Sequence, residues 1–411
     1  MSVQPPVPRR ALVFWTATSL IAVDTILFTM VVPALPEFQD RYGFSDAVAS
    51  LIFAAFPVGQ LATALLAAGL VDRVGRRPTM ILAVFVLAAA TLAFALADGV
   101  ALIAVARLVQ GLAAGLVWTA GLAAISDVYP QSELGFRMGL AETAGGATGL
   151  LGPPVAGAMI AAVGLDATFF IATAIPALAL IPTLLVPETR RGPAIASRLV
   201  PDLRRLWSVS TARVAGLVLA ASAAVLALVE PLLPLDLADR LELSPLGVGI
   251  VFAVGLVAYF LLVPIAGRWS DRRGRRTPVV VGGALMAIGL PFIAVGPAWS
   301  VAVAFAVVGA GMAAMIAPTG PLMVEAVDAA GMVGRYGLSS AALTVIFALG
   351  YVIGPLLGAA TSAALPFLVT TLIAAAAVVA VTVWAARALP RTKPATNALA
   401  LGPRGGSPSR W

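Results

Sequence analysis

Twelve stretches of this chain run for about 20 residues or more with almost no charged side chain, at 11–33, 47–70, 78–97, 100–125, 137–161, 166–187, 212–234, 246–266, 278–296, 299–324, 337–360 and 366–387. A helix of that length spans the roughly 30 Å hydrocarbon core of a bilayer, and it satisfies all its backbone hydrogen bonds within itself. Charged residues make up 11% of the chain and apolar ones 61%, against about 25% charged in a soluble domain. The fold class predicted is therefore all-α integral membrane, with twelve transmembrane helices, and an ordinary soluble fold is excluded. The chain has no Cys and no His. That removes disulfides, thiolate nucleophiles and Cys-ligated zinc, together with the commonest general base and metal ligand. No G-x-x-x-x-G-K-[ST] occurs, so ATP-driven chemistry lacks its phosphate cradle. An enzyme, a metal and a cofactor are not expected, and any proton chemistry runs on carboxylates.

The basic residues orient the spans. With the N-terminus cytoplasmic, 23 of the 26 Lys and Arg fall in inner loops and tails; the outer loops hold Arg41 and Arg240, and Arg107 lies inside a span. The positive-inside rule then places both termini on the cytoplasmic face of a cell (inner) membrane. The net charge of +7 is spread over short loops, so topology accounts for it and no nucleic-acid partner is expected. The first run follows Arg9 and Arg10, but its length and the embedded Asp24 mark a span rather than a cleaved signal. The stretch 389–411, rich in Pro, Gly and Ser, reads as a disordered cytoplasmic tail.

An internal repeat divides the chain. Ala68-Gly-Leu-Val-Asp72-Arg73-Val-Gly75-Arg76-Arg77 recurs as Gly267-Arg-Trp-Ser-Asp271-Arg272-Arg-Gly274-Arg275-Arg276, the aspartates 199 residues apart. Gly152-Pro153 recurs as Gly354-Pro355 after 202 residues, and Val23-Asp24 is echoed by Val229-Glu230 after 206. Offsets near 200 imply two pseudo-symmetric six-helix bundles, residues 1–187 and 213–388, joined by a basic cytoplasmic linker at 188–212. Two parallel halves around a midplane cavity is the architecture of a rocking secondary transporter, with a monomer as the expected unit.

The repeated loops have a physical use. Their glycines allow a tight turn, while Asp72 and Asp271 at a helix end and the arginines after them can form breakable ion pairs between spans. The pair of loops, after spans 2 and 8, resembles the signature loop of the major facilitator superfamily, with Ala68 in place of the first Gly and Trp269 in place of a Leu. In span 4, Arg107-Leu-Val-Gln110-Gly111 is similar to that family's R-x-x-Q-G motif. Holding a guanidinium at this depth costs about 2.5–3.5 kcal/mol, so Arg107 should either meet a carboxylate across a cavity or snorkel to the interface.

Spans 5 and 11 carry Thr148-Gly149-Leu-Leu-Gly152-Pro153-Pro154-Val-Ala-Gly157 and Gly350-Tyr351-Val-Ile-Gly354-Pro355-Leu-Leu-Gly358. Such runs bend a helix and strip one face of side chains, so a neighbour can pack closely and seal a leak path. The span 5 run resembles the motif of antiporters in the superfamily, with Thr148 where a Gly is expected and the last Gly displaced to Gly157. Span 1, Val23-Asp24-Thr-Ile-Leu-Phe28-Thr29-Met-Val-Val-Pro33, resembles the first span of twelve-span drug:proton antiporters, and within them the vesicular monoamine transporters. Glu230-Pro231, Phe53-Ala-Ala-Phe56-Pro-Val-Gly-Gln60-Leu61 and the span 11 run support that branch. The resemblance implies that Asp24 is counter-ion to a protonated amine and that Glu230 takes part in binding or coupling. The branch has a lysine where this chain has Phe56, and aspartates near Ile316 or Ala317 and at Thr344, so a monoamine substrate does not follow.

Within the spans, Asp24, Glu142 and Glu230 stand against the single base Arg107. A carboxylate in a semi-dry cavity can hold a proton near neutral pH or yield it to a cationic ligand, and that competition is the core of an antiport cycle. Asp24 lies about 13 residues, ~20 Å, from the cytoplasmic end of its span, and Glu230 in the outer third of span 7. Glu142 is about a turn and a half from the cytoplasmic start of span 5, equally compatible with the interface. A salt bridge between Asp24 and Arg107 is the structural alternative for that pair. Candidate cavity liners are Trp15, Phe28, Phe56, Gln60, Trp118, Tyr259, Phe347 and Tyr351, a set suited to lipophilic cations. The function expected is proton-coupled antiport exporting small lipophilic cations; the alternative is export of a sugar, neutral antibiotic or metabolite on the same fold. The partners expected are a small-molecule substrate, protons and membrane lipid, with the proton gradient in place of a cofactor.

Overall fold

The computed structural model describes residues 7–190, 199–332 and 336–390, without the side chains at 7, 8, 64–70, 72, 131, 132, 199, 200, 336 and 337. The expected tail, beyond residue 390, and part of the expected linker, 191–198, lie outside the described residues. In chain order the helices are α1 (Val7–Met30), α2 (Leu35–Tyr42), α3 (Asp46–Val74), α4 (Arg76–Ala95), α5 (Val100–Val128), α6 (Gln131–Val163), α7 (Leu165–Leu185) and α8 (Leu199–Trp207). They continue with α9 (Ser210–Leu241), α10 (Pro245–Arg273), α11 (Arg276–Phe292), α12 (Ala298–Ile316), α13 (Thr319–Ala329), α14 (Tyr336–Ser362) and α15 (Phe367–Ala388).

Eleven helical segments among the described residues are long and apolar enough to cross a bilayer. The twelfth span is α11, whose 17 residues reach about 25 Å, the short end of the workable range. Two spans depart from the single rods expected. Span 1 continues past Met30 through a 3-10 turn, Val32–Ala34, with Pro33 in its first turn, into α2. Span 10 breaks between α12 and α13, where Pro318 lacks an N–H to donate. Other prolines, Pro57, Pro153, Pro154 and Pro355 among them, stay inside continuous helices, as packed neighbours in a membrane allow.

The helices form two six-span bundles with matching contacts. In the first, α1 packs on α6, α3 on α5, and α4 on both α5 and α7; in the second, α9 packs on α14, α10 on α12, and α11 on both α12 and α15. Each pair in one bundle is the repeat-related counterpart of a pair in the other. The bundles meet through α6 with α10, α3 with α14, and α2 with α9. The glycines at these junctions run from mid-helix, where a Cβ at Gly146 would overlap the Phe260 ring, to the end away from the chain termini. A side chain at Gly157 would overlap the Pro245 carbonyl, one at Gly249 would lie 2.5 Å from the Pro153 carbonyl, and one at Gly358 3.4 Å from Ser50 Oγ. The outer perimeter exposes large apolar side chains such as Phe85, Leu178, Leu261 and Ile288, a surface that only lipid can cover favourably.

Candidate functional site at the bundle centre

Gly59 and Gly111 bring α3 against α5. A Cβ at Gly111 would overlap the Phe56 carbonyl, and one at Gly59 would overlap the Leu108 carbonyl. This backbone approach, allowed by missing side chains, presses the phenyl rings of α3 onto Arg107. The guanidinium is wholly buried, with its carbon 5.0 Å from the ring centres of Phe28, Phe53 and Phe56 alike. Its Nη1 donates to Gln110 Oε1 at 2.9 Å and to the Phe28 carbonyl at 3.4 Å. Nε and Nη2 have no partner. No carboxylate lies within ion-pair distance of Arg107 among the described residues. The expected direct meeting with an acid is thus replaced by a cage of three aromatic faces. Each face is worth about 0.5–2 kcal/mol to a desolvated cation. Snorkelling is excluded by the burial.

Asp24 stands one helical turn from Phe28 on α1 and is 2% exposed. Its Oδ2 accepts from Trp118 Nε1 at 3.0 Å, and its Oδ1 has no partner. Glu230 on α9 is 5% exposed. Its Oε1 accepts from Tyr351 Oη at 3.4 Å, and Oε2 has no partner. Rings link the two acids across the bundles: Tyr351 lies 6.2 Å from Phe28 and 4.8 Å from Phe347, and Phe28 lies 4.5 Å from Phe56. Arg107, in the middle, is within electrostatic reach of both carboxylates.

The other expected residues divide. Gln60 is half-buried one turn from Phe56 on α3. Tyr259 stacks edge-on with its neighbour Phe260 at 5.1 Å, outside the ring chain around Phe28. One expectation is narrowed and one overturned. Glu142 is exposed, the interfacial one of its two expected placements, so the core holds two acids against one base. Trp15 is 61% exposed; nine residues from Asp24, two and a half turns, it sits on the opposite side of α1. Gln110 and Phe53, the direct partners of Arg107, are not among the site residues expected from sequence. The R-x-x-Q spacing carried the signal for Gln110, since residues three apart meet on one helix face.

The glycine runs take distinct neighbours. A Cβ at Gly152 would overlap Thr29 Oγ1, and Gly145 and Gly149 face Ile21 and Thr25, so this stripe seats α6 on α1. Pro153, next along the run, turns its carbonyl to α10. Gly350 and Gly354 seat α14 on α9, against the backbone of Ala220 and Ala224. Pro355 is buried inside α14.

At the end nearer the termini, the repeated loops hold ion pairs. Arg76 Nε meets Asp127 Oδ2 at 2.8 Å, and Thr189 Oγ1 donates to the same oxygen at 3.1 Å. In the second copy Arg275 meets Asp271 at 2.7 Å and Glu325 at 3.5 Å. Asp127 and Glu325 are 198 residues apart, so the repeat offset could have found them. Gly75 and Gly274 turn the chain with φ of 112° and 87°, a region open chiefly to glycine. Asp72 ends α3 with its side chain outside the described residues, Arg73 offers its carbonyl to Arg190 Nη1 at 2.6 Å, and Arg272 is exposed. Glu188 caps α4, accepting from the backbone N–H of Arg76 and Arg77 at 3.0 and 3.1 Å. Partial burial pushes its carboxyl up, but four backbone N–H donors outweigh this and hold it below the usual carboxylate range.

Two repeat-related six-helix bundles closing on a central charged cluster define a secondary-transporter fold. The family model of the Major Facilitator Superfamily matches residues 17–224 and 214–408, and the chain belongs to that superfamily. It is a multi-pass membrane protein of a family of transporters, not of enzymes. "Multidrug resistance protein 2" of Bacillus subtilis is 29% identical over 174 residues, 42% of this chain and 43% of that protein. The "Synaptic vesicular amine transporter" of Mus musculus is 27% identical over 361 residues, 84% of this chain and 66% of that protein. The matches thus span less than two thirds of each relative's length. In fold, a bacterial homologue of the human lysosomal transporter Spinster aligns with a TM-score of 0.74 at 15% identity, covering 93% of this chain and 96% of that one.

Proposed function

We propose that this transporter is a proton-coupled antiporter exporting small lipophilic cations, drugs or amines, as a monomer with both termini in the cytoplasm. The observation that carries the reading is the pair of nearly wholly buried carboxylates, Asp24 and Glu230, each with one oxygen bonded to an aromatic side chain and one left without a partner. An unpartnered buried carboxylate oxygen is costly, and either a proton or a cationic ligand relieves that cost. Binding of one at the expense of the other is exchange. The rings around Phe28 supply the apolar and cation–π surface that a lipophilic cation needs. The names of the relatives, multidrug resistance and amine transport, agree with this chemistry, and the basic loops support the orientation.

Inside-out membrane vesicles test the reading. An imposed proton gradient should drive uptake of a fluorescent lipophilic amine, and Asp24→Asn should reduce uptake to the level of empty-vector vesicles. Wild-type rates in Asp24→Asn vesicles would remove the buried acid from the mechanism.

A further inference from the structure

We propose that Arg107 is a specificity-determining residue that sets the charge of the substrate to +1. The inference rests on the antiporter reading above and adds the valence of the cation. The central cluster holds two buried acids, Asp24 and Glu230, and one buried base. With both acids ionised its formal charge is −1. Arg107 cannot surrender its charge by pairing off with one acid, because no carboxylate is within ion-pair distance. Nor does it offer an open face to a ligand, since Phe28, Phe53 and Phe56 each stand 5.0 Å from the guanidinium carbon. Gln110 and the Phe28 carbonyl fix the group in that cage. Arg107 therefore acts as a fixed positive field behind a wall of phenyl rings, felt by both acids and by whatever binds between them.

One monovalent cation or one proton neutralises the cluster. A second positive charge on the ligand leaves the cluster with a net charge of +1 and is repelled by Arg107 in surroundings of low dielectric, where one unit charge several ångströms away changes affinity by about tenfold or more.

The test uses two probes of one biaryl skeleton, N-methyl-phenylpyridinium with one charge and dimethyl-bipyridinium with two, plus uncharged phenylpyridine. Equilibrium binding to the purified full chain in lipid nanodiscs is read above neutral pH. Wild type should bind the monocation at least about tenfold more tightly than the dication. Arg107→Gln should erase or invert that preference, Arg107→Lys should keep it, and the double variant Arg107→Gln/Glu230→Gln, again formally −1, should restore it. Glu230→Gln alone should move the preference from the monocation toward phenylpyridine, which keeps the inference testable if Arg107→Gln does not fold. Equal affinity of wild type for both cations, or an unchanged preference in Arg107→Gln, overturns the inference and leaves cation antiport standing. Wild type that binds neither cation and shows no proton-driven uptake strikes the antiporter reading itself.

Discussion

In the first bundle α6 meets α1 through Gly145, Gly149 and Gly152, whose nearest neighbours are side-chain atoms of Ile21, Thr25 and Thr29; in the second, α14 meets α9 through Gly350 and Gly354, which lie on the carbonyls of Ala220 and Ala224. The same pairs of helices touch in both bundles, yet one seam is lined by rotatable groups and the other by backbone. The charges differ in the same way. Asp24 has an indole donor at 3.0 Å and Arg107 on a neighbouring helix of its own bundle, whereas Glu230 has a phenol at 3.4 Å and shares the base of the other half. Duplication supplies a scaffold twice, and the chemistry is then placed once across it.

The largest expected effect breaks the comparison at the acids. Asp24→Asn should lower amine-driven proton release from vesicles by about 100-fold or more, because the substrate's counter-ion is lost from a buried site. Loss of the donors should follow bond quality. Trp118→Phe removes a 3.0 Å bond to a carboxylate, worth about 1.5–3 kcal/mol, and should raise the half-saturating amine concentration roughly tenfold or more. Tyr351→Phe removes the 3.4 Å contact and should change it only a few-fold. Equal losses in the two variants would mean that the acids are held alike.

The glycine seams give the next effect. Gly354→Ala drives a methyl into the Ala224 carbonyl, which cannot move without shifting α9, while Gly152→Ala displaces the Thr29 hydroxyl. Overpacking relieved by side-chain movement costs about 1–3 kcal/mol. The prediction is a larger drop in Tm and folded yield for Gly354→Ala than for Gly152→Ala in detergent. The reverse order would show that the first seam is the rigid one.

The twelve runs, the repeat offset and the glycine seams were legible because lipid forces each span to declare itself in hydropathy and each close contact to discard a side chain. Asp24 and Glu230 were legible as charges in apolar runs. Their surroundings were not. Phe53 and Phe56 read as ordinary apolar residues of a membrane helix, and only the α3–α5 backbone contact turns them into a cage. Glu142, also a charge in an apolar run, proved exposed, since hydropathy places a residue along a helix but not around it. Asp127 and Glu325 were missed because each sits in the last turns of its span, where acids carry no special signal until the partner arginine is in place.

The repeated loops provide smaller tests. Arg76 and Asp127 have side chains 13% and 14% exposed, whereas Arg275 faces Asp271 and Glu325 at 68% and 53% exposure. Exposed pairs contribute about 0–1 kcal/mol, and breaking a sheltered one costs more. Arg76→Ala should therefore lower Tm by several degrees, and Arg275→Ala by about a degree or less, measured in one buffer at low salt.

The smallest effect is set by pH and should be confined to the first loop. Glu188 caps the N-terminus of α4 through the Arg76 and Arg77 amides, and its carboxyl is held below the usual range. A group whose folded value is depressed contributes stability that is fully present above its unfolded value, about 4.3, and is lost as pH falls through the folded value. Amide exchange at Arg76 and Arg77 should accordingly accelerate as pH falls through that depressed folded value, beyond the intrinsic trend, and Glu188→Gln should remove that step. The start of α11, at Arg276, follows Gly274 and has no acidic side-chain cap. Its exchange should follow the intrinsic pH trend throughout, and an equal acid step at both loops would locate the titrating group elsewhere than Glu188.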